Sequence, residues 1–499
     1  MITIPTPQRV SPAPGAFVVA DPWGVRHHPD VRTSVDPGVG RGFEVLGRRA
    51  DDAAPAREAY RLTVTPTGAE VVGASPEGVF RGLTTLLHEA VAGGGSVPCG
   101  VVEDAPRLAW RGLSLDVVRT FHPVDTVRRV VDLLAHYKLN VLHLHLTDAE
   151  GWRLEVPARP ELTDVGAAGA ASGRAGGHYS TAEFADLVAY AAERFVTIVP
   201  EFDSPGHSTA LLAARPELVS ERVRGLPRER WYLDPDHPGV LDQVAEVFGA
   251  FAAVTRGGRL HVGADEALLM GHELYARYLA AVLPLARATG RGIVAWQEAS
   301  RAGCLVAGDI VQWWIPAHLV DESRTALADA SFVAAAATDP MAAIMLEFAR
   351  LFAVADEDVP HALAQGADVL LSPATQLYLD TRYPEPAADP RQEERRSRVG
   401  MAPEHYASGT VEDAFAWDPL ELGVPAERIA GVEAAVWCET VEDADDLFFL
   451  LLPRLAGVAE KGWSPPSEWA GHRARLRAQG PVWDALGLTW FRSSAVWDD

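Results

Sequence analysis

Asp265 and Glu266 are adjacent carboxylates that follow a short apolar segment, residues 260–263. The segment is typical of a buried strand, and α/β barrels carry their working groups at the carboxyl ends of strands. Two neighbouring acids can be tuned so that one stays protonated while the other is charged. The pair therefore predicts an acid-catalysed reaction. The alternative is that Asp265 caps the following helix and Glu266 is solvated.

Seven further predicted strands also end in polar or aromatic side chains. Residues with only a structural role rarely recur at the same relative place. Apolar faces of a sugar stack on aromatic rings, and its hydroxyls bond to acids, Arg and His, so the pattern indicates a sugar site. The side chains are Arg111, Asp116 and Arg119 around strand one, then His143, His145 and Asp148, Glu201, Asp203 and His207, Trp296 and Glu298, Trp313 and Trp314, Tyr378 and Asp380, and Trp437 and Glu439.

These groups need a scaffold that brings eight strand ends together. Strands and helices alternate from Trp110 onward, with helical patterns at 124–137, 181–195, 275–289 and 444–461. The alternation predicts an α/β protein with a parallel (β/α)₈ barrel. A doubly wound open sheet is the alternative, but no glycine-rich phosphate loop follows the first strand. The predicted strands are 112–117, 140–146, 197–202, 260–263, 292–296, 309–313, 368–372 and 431–436.

The chain before the barrel has a different pattern. Residues 60–65 and 68–73 are predicted strands, and 76–91 is a predicted helix ended by three glycines. We predict a small α+β domain over 1–105, the barrel over 106–465, and a C-terminal extension, 466–499, packed on it.

Two connections in the barrel are unusually long. Residues 316–366 include a predicted helix at 341–354, and 383–424 are rich in charge and proline. Loops of this length on a working face are candidates for lids or for leaving-group recognition. For 391–398 a disordered surface excursion is the alternative.

Composition narrows the class of protein. The 499 residues are 48% hydrophobic, with a formal charge of −24, so a nucleic-acid partner would be repelled. There is no long apolar run for a membrane span, and the first ten residues lack the features of a secretory signal. Cys99, Cys304 and Cys438 are odd in number and far apart, which disfavours disulfides or a cysteine metal site. We expect a cytoplasmic protein without cofactor or metal.

Taken together, the motifs resemble family 20 of the glycoside hydrolases, the β-N-acetylhexosaminidases. The resemblance runs from about residue 75 to residue 464, and the combination is far more specific than any one motif. The segments that carry it are 105–112 (APRLAWRG), 138–148 (KLNVLHLHLTD), 200–207 (PEFDSPGH), 261–266 (HVGADE) and 453–463 (PRLAGVAEKGW).

The resemblance implies an exo-acting enzyme that removes terminal β-linked GlcNAc or GalNAc with retention. Retaining glycosidases ordinarily place two carboxyl groups about 5–5.5 Å apart across the glycosidic bond. Neighbours in sequence share one strand end and have Cα atoms only about 3.8 Å apart, so they are poorly placed for this. In the family the substrate's own acetamido oxygen attacks instead, through an oxazolinium intermediate. A nearby Asp265 anion should also discourage ionisation of Glu266.

The resemblance assigns a role to each matching position, with burial in the core as the alternative for each tryptophan and for His207. His143 and His145 are interpreted as structural. The roles are general acid and base for Glu266, orientation of the acetamido group for Asp265, a hydrogen bond to its carbonyl for Tyr378, a relay to Glu266 for Asp148 and His207, aromatic walls for Trp296, Trp314 (chosen over Trp313) and Trp437, and hydroxyl binding for Arg111, Asp380 and Glu439.

Three positions depart from the family pattern. The chain has Ala149 where a second acid is usual, Leu144 where Trp is common, and Ala264 where Gly precedes the acid pair. None removes a principal group, so we predict an active enzyme.

Two rival functions remain. A metal-dependent amidohydrolase could use His143 and His145, which alternate onto one side of a strand. A non-catalytic sugar-binding protein could keep the pocket. GlcNAc or GalNAc preference, the natural glycan, its linkage and the oligomeric state are left open.

Overall fold

The computed structural model describes residues 1–47, 55–402 and 409–498. Its strands form two sheets, a five-stranded sheet near the N-terminus and a closed barrel of eight strands. The strands are β1 (Arg9–Val18), β2 (Val31–Val35), β3 (Tyr60–Thr65), β4 (Gly68–Gly73), β5 (Ser96–Asp104), β6 (Trp110–Asp116), β7 (Val141–His145), β8 (Thr197–Ser204), β9 (Arg259–Gly263), β10 (Gly292–Trp296), β11 (Ile310–Trp313), β12 (Asp368–Leu371) and β13 (Ile429–Val436).

The N-terminal sheet has the order β1-β5-β3-β4-β2, and helix α1 (Pro76–Ala92) packs against it. The α1 N-terminus is capped by the Ser75 hydroxyl, which accepts hydrogen bonds from the backbone N–H groups of Glu77 and Gly78. The strands predicted at 60–65 and 68–73 coincide with β3 and β4. The sequence did not predict β1, an exposed edge strand that contains two prolines.

The prediction of a (β/α)₈ barrel is confirmed. Strands β6 to β13 are parallel, and β13 pairs with β6 to close the sheet, with Gly431 opposite Trp110. Every predicted strand overlaps the observed one. The strand residues are almost all buried, because helices cover the outer face and side chains fill the interior.

The remaining helices surround the barrel or fill its connections. The predicted helix 444–461 is two helices, since Pro453 interrupts it. The helices are α2 (Val124–His136), α3 (Glu161–Asp164), α4 (Thr181–Ala192), α5 (Thr209–Ala214), α6 (Glu221–Arg224), α7 (Val240–Val254), α8 (His272–Ala288), α9 (Ala317–Ala328), α10 (Ala330–Ala335), α11 (Pro340–Phe352), α12 (Asp358–Ala364), α13 (Ala374–Leu377), α14 (Glu393–Arg398), α15 (Ala444–Leu451), α16 (Arg454–Trp463), α17 (Trp469–Ala485) and α18 (Ser494–Trp497).

The barrel interior is layered from bottom to top. The lowest layer is apolar and includes Trp110, Val141 and Val199. Because side chains alternate along a strand, His143 and Glu201 point inward one layer higher, and His145 and Asp203 point inward above them. Polarity thus increases toward the carboxyl ends of the strands.

Both long connections carry helices. Residues 316–366 contain α9 to α12, and α11 matches the helix predicted at 341–354. In the second connection, α14 is tied to α15, because Arg398 donates two hydrogen bonds to Asp446 at 2.8 and 2.9 Å. Residues 391–398, for which a disordered excursion was the alternative, thus contain helix α14, while residues 403–408 lie outside the described residues.

The C-terminal helices contact the barrel through α2. The Trp483 indole donates a hydrogen bond to the Tyr137 hydroxyl at 2.6 Å, and Arg129 donates one to the Gly487 carbonyl at 2.8 Å. Across the described ranges, no helix has both the length and the hydrophobicity needed to cross a membrane.

Candidate active site

A polar cavity lies at the carboxyl ends of the barrel strands. It brings together eight of the predicted site residues and three that the sequence analysis named at strand ends without assigning them a role in the site. The predicted ones are Asp148, His207, Asp265, Glu266, Trp314, Tyr378, Trp437 and Glu439, and the additional ones are Arg119, His145 and Asp203.

The loop after β9 turns both acids toward this cavity. Gly263 has φ +70°, and a Cβ added there would lie 1.8 Å from Oδ1 of Asp203, so only glycine fits. Ala264 and Glu266 also have positive φ values, +84° and +40°, which are costly for residues with a side chain. The Ala264 carbonyl accepts a 2.6 Å hydrogen bond from the Tyr275 hydroxyl, which holds the strained turn.

His207 connects the acid pair to Asp148. Its Nδ1 hydrogen-bonds Oδ1 of Asp148 at 2.9 Å, while its Nε2 lies 3.7 Å from Glu266 Oε2 and 3.9 Å from Asp265 Oδ1. Asp148 is held in turn by Arg119 at 2.6 Å and by His145 at 2.8 Å. The imidazole is thus fixed on one side and faces both acids on the other.

The charges in this chain of contacts reinforce one another. Burial alone would lower the pKa of His207, but the negative charges of Asp148, Asp203 and Asp265 outweigh it and hold that pKa well above its usual value. Burial acts to raise the pKa of Asp148, yet the positive charges of Arg119 and His207 hold it well below its usual value. Asp148 and His207 therefore form an ion pair at neutral pH.

The acid pair itself is biased toward the protonated form. Burial raises the pKa of Glu266, and His207 and Arg119 oppose that effect. Burial also raises the pKa of Asp265 well above its usual value, and the negative charge of Asp203 adds to it. The sequence prediction named the Asp265 charge as the reason Glu266 stays protonated, whereas desolvation is the larger cause.

One end of the cavity presents unsatisfied acceptors. Among the described residues, no side chain donates a hydrogen bond to the Asp380 carboxylate, and Oε2 of Glu439 has no partner. Burial raises the pKa of Asp380 to about 8, and the Glu439 charge adds to the effect. Asp380 is nearly fully buried and is not among the residues that line the cavity. Buried acceptors without donors are suited to bind hydroxyl groups.

The prediction for Arg111 is wrong. Arg111 is fully buried at the beginning of β6, the opposite end of the barrel, where its guanidinium contacts Glu58 at 2.6 Å and stacks on Trp463. The arginine in the cavity is Arg119, which lies over the Trp437 ring and within 4.0 Å of Glu439. Its place after the carboxyl end of β6 was the signal that should have identified it.

Aromatic side chains wall the rest of the cavity. The Trp314 and Tyr378 rings are parallel within 5°, with centroids 6.2 Å apart, and Trp437 lies 6.1 Å from Tyr378. Trp296 is fully buried below them, where its indole donates a hydrogen bond to Glu201, so it supports Trp437 and does not line the cavity. Trp313, the alternative to Trp314, instead packs against the main hydrophobic core.

His143 and His145 belong to a buried network with carboxylates. His143 lies 2.9 Å from Glu433 and 3.1 Å from Glu201, and His145 lies 2.6 Å from Glu201 and 2.8 Å from Asp148. Each nitrogen of the two rings thus already faces a carboxylate oxygen. His145 also lines the cavity, so a purely structural interpretation of it was incomplete.

Asp203 was named at a strand end in the sequence analysis but was given no role in the site. It lines the cavity, accepts a 3.3 Å hydrogen bond from the Ala264 N–H, and has a second oxygen without a partner among the residues described. Burial raises the pKa of Asp203 to about 6. Its position two residues after the inward-facing Glu201 is the signal that places it at the top of the barrel.

A closed barrel whose cavity combines an acid pair with aromatic walls is the arrangement of a glycoside hydrolase. The family model for the catalytic domain of glycosyl hydrolase family 20 matches residues 108–271 and 348–466, and the model for domain 2 of that family matches residues 26–105. This chain belongs to glycosyl hydrolase family 20.

Named relatives and solved structures agree with this assignment. A β-N-acetylhexosaminidase of Cellulomonas fimi is 37% identical over 461 residues, which span 90% of this chain and 83% of the relative. The family 20 β-N-acetylhexosaminidase of Streptomyces coelicolor A3(2) is 31% identical, with 99% and 98% of the two chains covered and a TM-score of 0.78. The Streptomyces plicatus N-acetyl-β-hexosaminidase, solved in complex with Thio-NAglucal, is 30% identical, with 99% and 97% covered and a TM-score of 0.78.

Proposed function

We propose that this protein is an exo-acting β-N-acetylhexosaminidase that removes terminal β-linked GlcNAc or GalNAc with retention. The observation that carries the proposal is the placement of Asp265 and Glu266 on one loop, both facing the same His207 nitrogen at 3.9 and 3.7 Å. Two acids on one side of a site are poorly arranged to flank a glycosidic bond. A nucleophile supplied by the substrate removes that requirement.

The first step is cleavage of the glycosidic bond. Protonated Glu266 donates its proton to the glycosidic oxygen, the acetamido oxygen attacks C1, and the leaving group departs as an alcohol. The Asp265 carboxylate accepts the acetamido N–H and balances the positive charge of the oxazolinium ring, while the Tyr378 hydroxyl donates to the acetamido oxygen. Binding of the substrate's N–H is what supports the ionised form of Asp265.

The second step is hydrolysis of the cyclic intermediate. Glu266, now ionised, takes a proton from water, and the hydroxide attacks C1 from the face that the leaving group vacated. The C1–oxygen bond of the ring breaks and regenerates the acetamide, so the configuration at C1 is retained. His207, held protonated by Asp148, stabilises the Glu266 carboxylate between the two steps.

The remaining contacts select the end of a glycan. Arg119, Asp380 and Glu439 offer donors and acceptors for the hydroxyls of a non-reducing terminal sugar. Trp314, Tyr378 and Trp437 surround the acetamido methyl group and exclude water from the cyclisation.

A panel of aryl β-glycosides with and without the 2-acetamido group tests the proposal. We expect turnover only when the acetamido group is present, and inhibition by a thiazoline mimic of the cyclic intermediate. Glu266→Gln and Asp265→Asn should each reduce kcat by about 10²–10⁴-fold. Equal cleavage of plain glucosides by the wild type would contradict the mechanism. Binding of the sugars without any turnover would instead indicate a sugar-binding protein.

A further inference from the structure

A second, smaller cavity adjoins the first at Glu266. Its lining combines the catalytic loop with the connection that follows β8. The residues are Gly206, His207, Glu229, Arg230, Trp231, Tyr232, Glu266 and Leu268. His207 and Glu266 line both cavities. Since Glu266 protonates the glycosidic oxygen in the proposed function, a cavity that shares both His207 and Glu266 with the sugar pocket is placed to receive the leaving group.

Arg230 is the notable side chain of this second cavity. The side chain is half-buried, and its Nε is buried without a hydrogen-bond partner among the residues described. The guanidinium lies 5.5 Å from the centre of the Phe348 ring on α11, which belongs to the long connection 316–366. Its charge also acts on Glu266 and opposes the burial that raises the pKa of that acid.

Neighbouring arginines of the same connection have partners. Arg222 bonds Asp234 at 2.9 Å and Asp236 at 2.8 Å, and Arg224 pairs with Glu221 at 3.3 Å. A buried donor without a partner is costly, so the unpartnered Nε of an arginine beside a reacting acid is placed to bind a ligand.

We propose that Arg230 donates hydrogen bonds to oxygen atoms of the leaving sugar residue, in a subsite walled by Trp231. This inference rests on the proposed function and adds the identity of the leaving group to it. A guanidinium fork beside an aromatic wall suits a sugar ring, whose oxygens accept while its C–H face packs on the indole. The acceptor is either a pair of neutral hydroxyls or the carboxylate of a uronic acid, since both accept from the same fork.

The test compares leaving groups with and without sugar oxygens. The substrates are 4-nitrophenyl β-N-acetylglucosaminide, a disaccharide with GlcNAc β-linked to GlcNAc, and a disaccharide with GlcNAc β-linked to glucuronic acid. The variants are Arg230→Gln and Arg230→Lys, with Arg224→Gln as the matched control in the same connection. A melting temperature for each variant separates loss of folding from loss of binding.

We expect Arg230→Gln to lower kcat/KM for at least one disaccharide by about tenfold or more, since hydrogen bonds from a charged donor are stronger than neutral ones. Cleavage of the aryl glycoside should change by less than about threefold, and Arg224→Gln should change neither. Loss on both disaccharides identifies hydroxyl acceptors, and loss on the uronic acid substrate alone identifies a carboxylate. Arg230→Lys keeps the charge without the fork and should be intermediate.

Two results would overturn the inference. One is an equal loss on all three substrates, which would mean that Arg230 acts only on Glu266 or on folding. The other is no loss on either disaccharide. Wild-type turnover of the aryl glycoside tests the proposed function separately, because that leaving group has no sugar oxygens. If the wild type fails on the aryl glycoside, the proposed function falls, and the subsite falls with it.

Discussion

Nε2 of His207 lies 3.7 Å from Oε2 of Glu266, on the opposite side of the ring from its hydrogen bond to a buried aspartate. The contact joins protonated His207 to Glu266, an acid that must lose its proton and regain it in each catalytic cycle. Protonated His207 stabilises the ionised Glu266 that forms after cleavage. The protonation of Glu266, which follows β9, thus depends on His207, which follows β8.

Asp148→Asn tests this control. The change removes the largest of the three negative charges that hold the pKa of His207 up, so that pKa should fall and less of the imidazole should be protonated at neutral pH. We expect a reduction of about 10- to 100-fold in kcat, with a smaller change in KM. The measurement is steady-state kinetics on an aryl N-acetylglucosaminide, together with NMR titration of the histidine. An imidazole that keeps its raised pKa in the variant would contradict the account.

The pH dependence of kcat/KM should reflect the protonation of Glu266. An acid must carry its proton to act, so activity falls as pH rises through the folded-state pKa. Because burial raises the pKa of Glu266, the alkaline limb should lie above the usual carboxyl range. The limb should disappear in Glu266→Gln assayed with a leaving group that needs no protonation. A limb that persists there would have to come from another group.

Arg119 and Arg111 make a matched pair for the corrected assignment. Arg119→Gln should lower kcat/KM by about 10²-fold, because it removes a charged donor from the cavity and a partner of Asp148. Arg111→Gln should leave kcat/KM of the folded enzyme nearly unchanged and destabilise it by about 2–4 kcal/mol, since buried Glu58 loses a partner. Urea unfolding and kinetics on both variants decide the matter. The reverse pattern would indicate that Arg111, and not Arg119, binds the sugar.

Gly263 and Ala264 make a second pair on the catalytic loop. Gly263→Ala adds a methyl group 1.8 Å from Asp203 Oδ1, so the loop must shift, and we expect kcat to fall at least about tenfold. Ala264→Gly releases a residue at φ +84° but loses a buried methyl group, so stability should stay within about 1 kcal/mol. Thermal unfolding and kcat are the readouts. Normal activity in Gly263→Ala would show that this turn does not position the acid pair.

The sequence was sufficient for the barrel and for most of the cavity. The strand pattern is strong because barrel strands are buried on both faces, and a cavity at their carboxyl ends collects whatever polar residues follow them. The family role was assigned to Arg111, which lies at the beginning of β6. The cavity is at the carboxyl end of that strand, so the matching residue is Arg119, which follows it. Asp203 and His145 were missed because inward-facing alternation alone does not reveal how high in the barrel a side chain lies.

The remaining site positions depend on side-chain partners, which the sequence does not show. The family resemblance implies that Trp296 is one of the aromatic walls, yet its indole donates a hydrogen bond to Glu201 and lies below the cavity lining. Arg230 lies in a stretch of alternating charges whose members look alike in sequence. Only the ion pairs of Arg222 distinguish a satisfied arginine from an unsatisfied one.

The central claim is that the substrate's acetamido oxygen is the nucleophile. The most direct measurement is kcat/KM for aryl glycosides whose acetamido methyl carries none, one, two or three fluorine atoms. Fluorine withdraws electrons from the carbonyl oxygen, so we predict a steady fall in kcat/KM with each added fluorine. A flat series, with a protein side chain found covalently attached to C1 during turnover, would contradict the account.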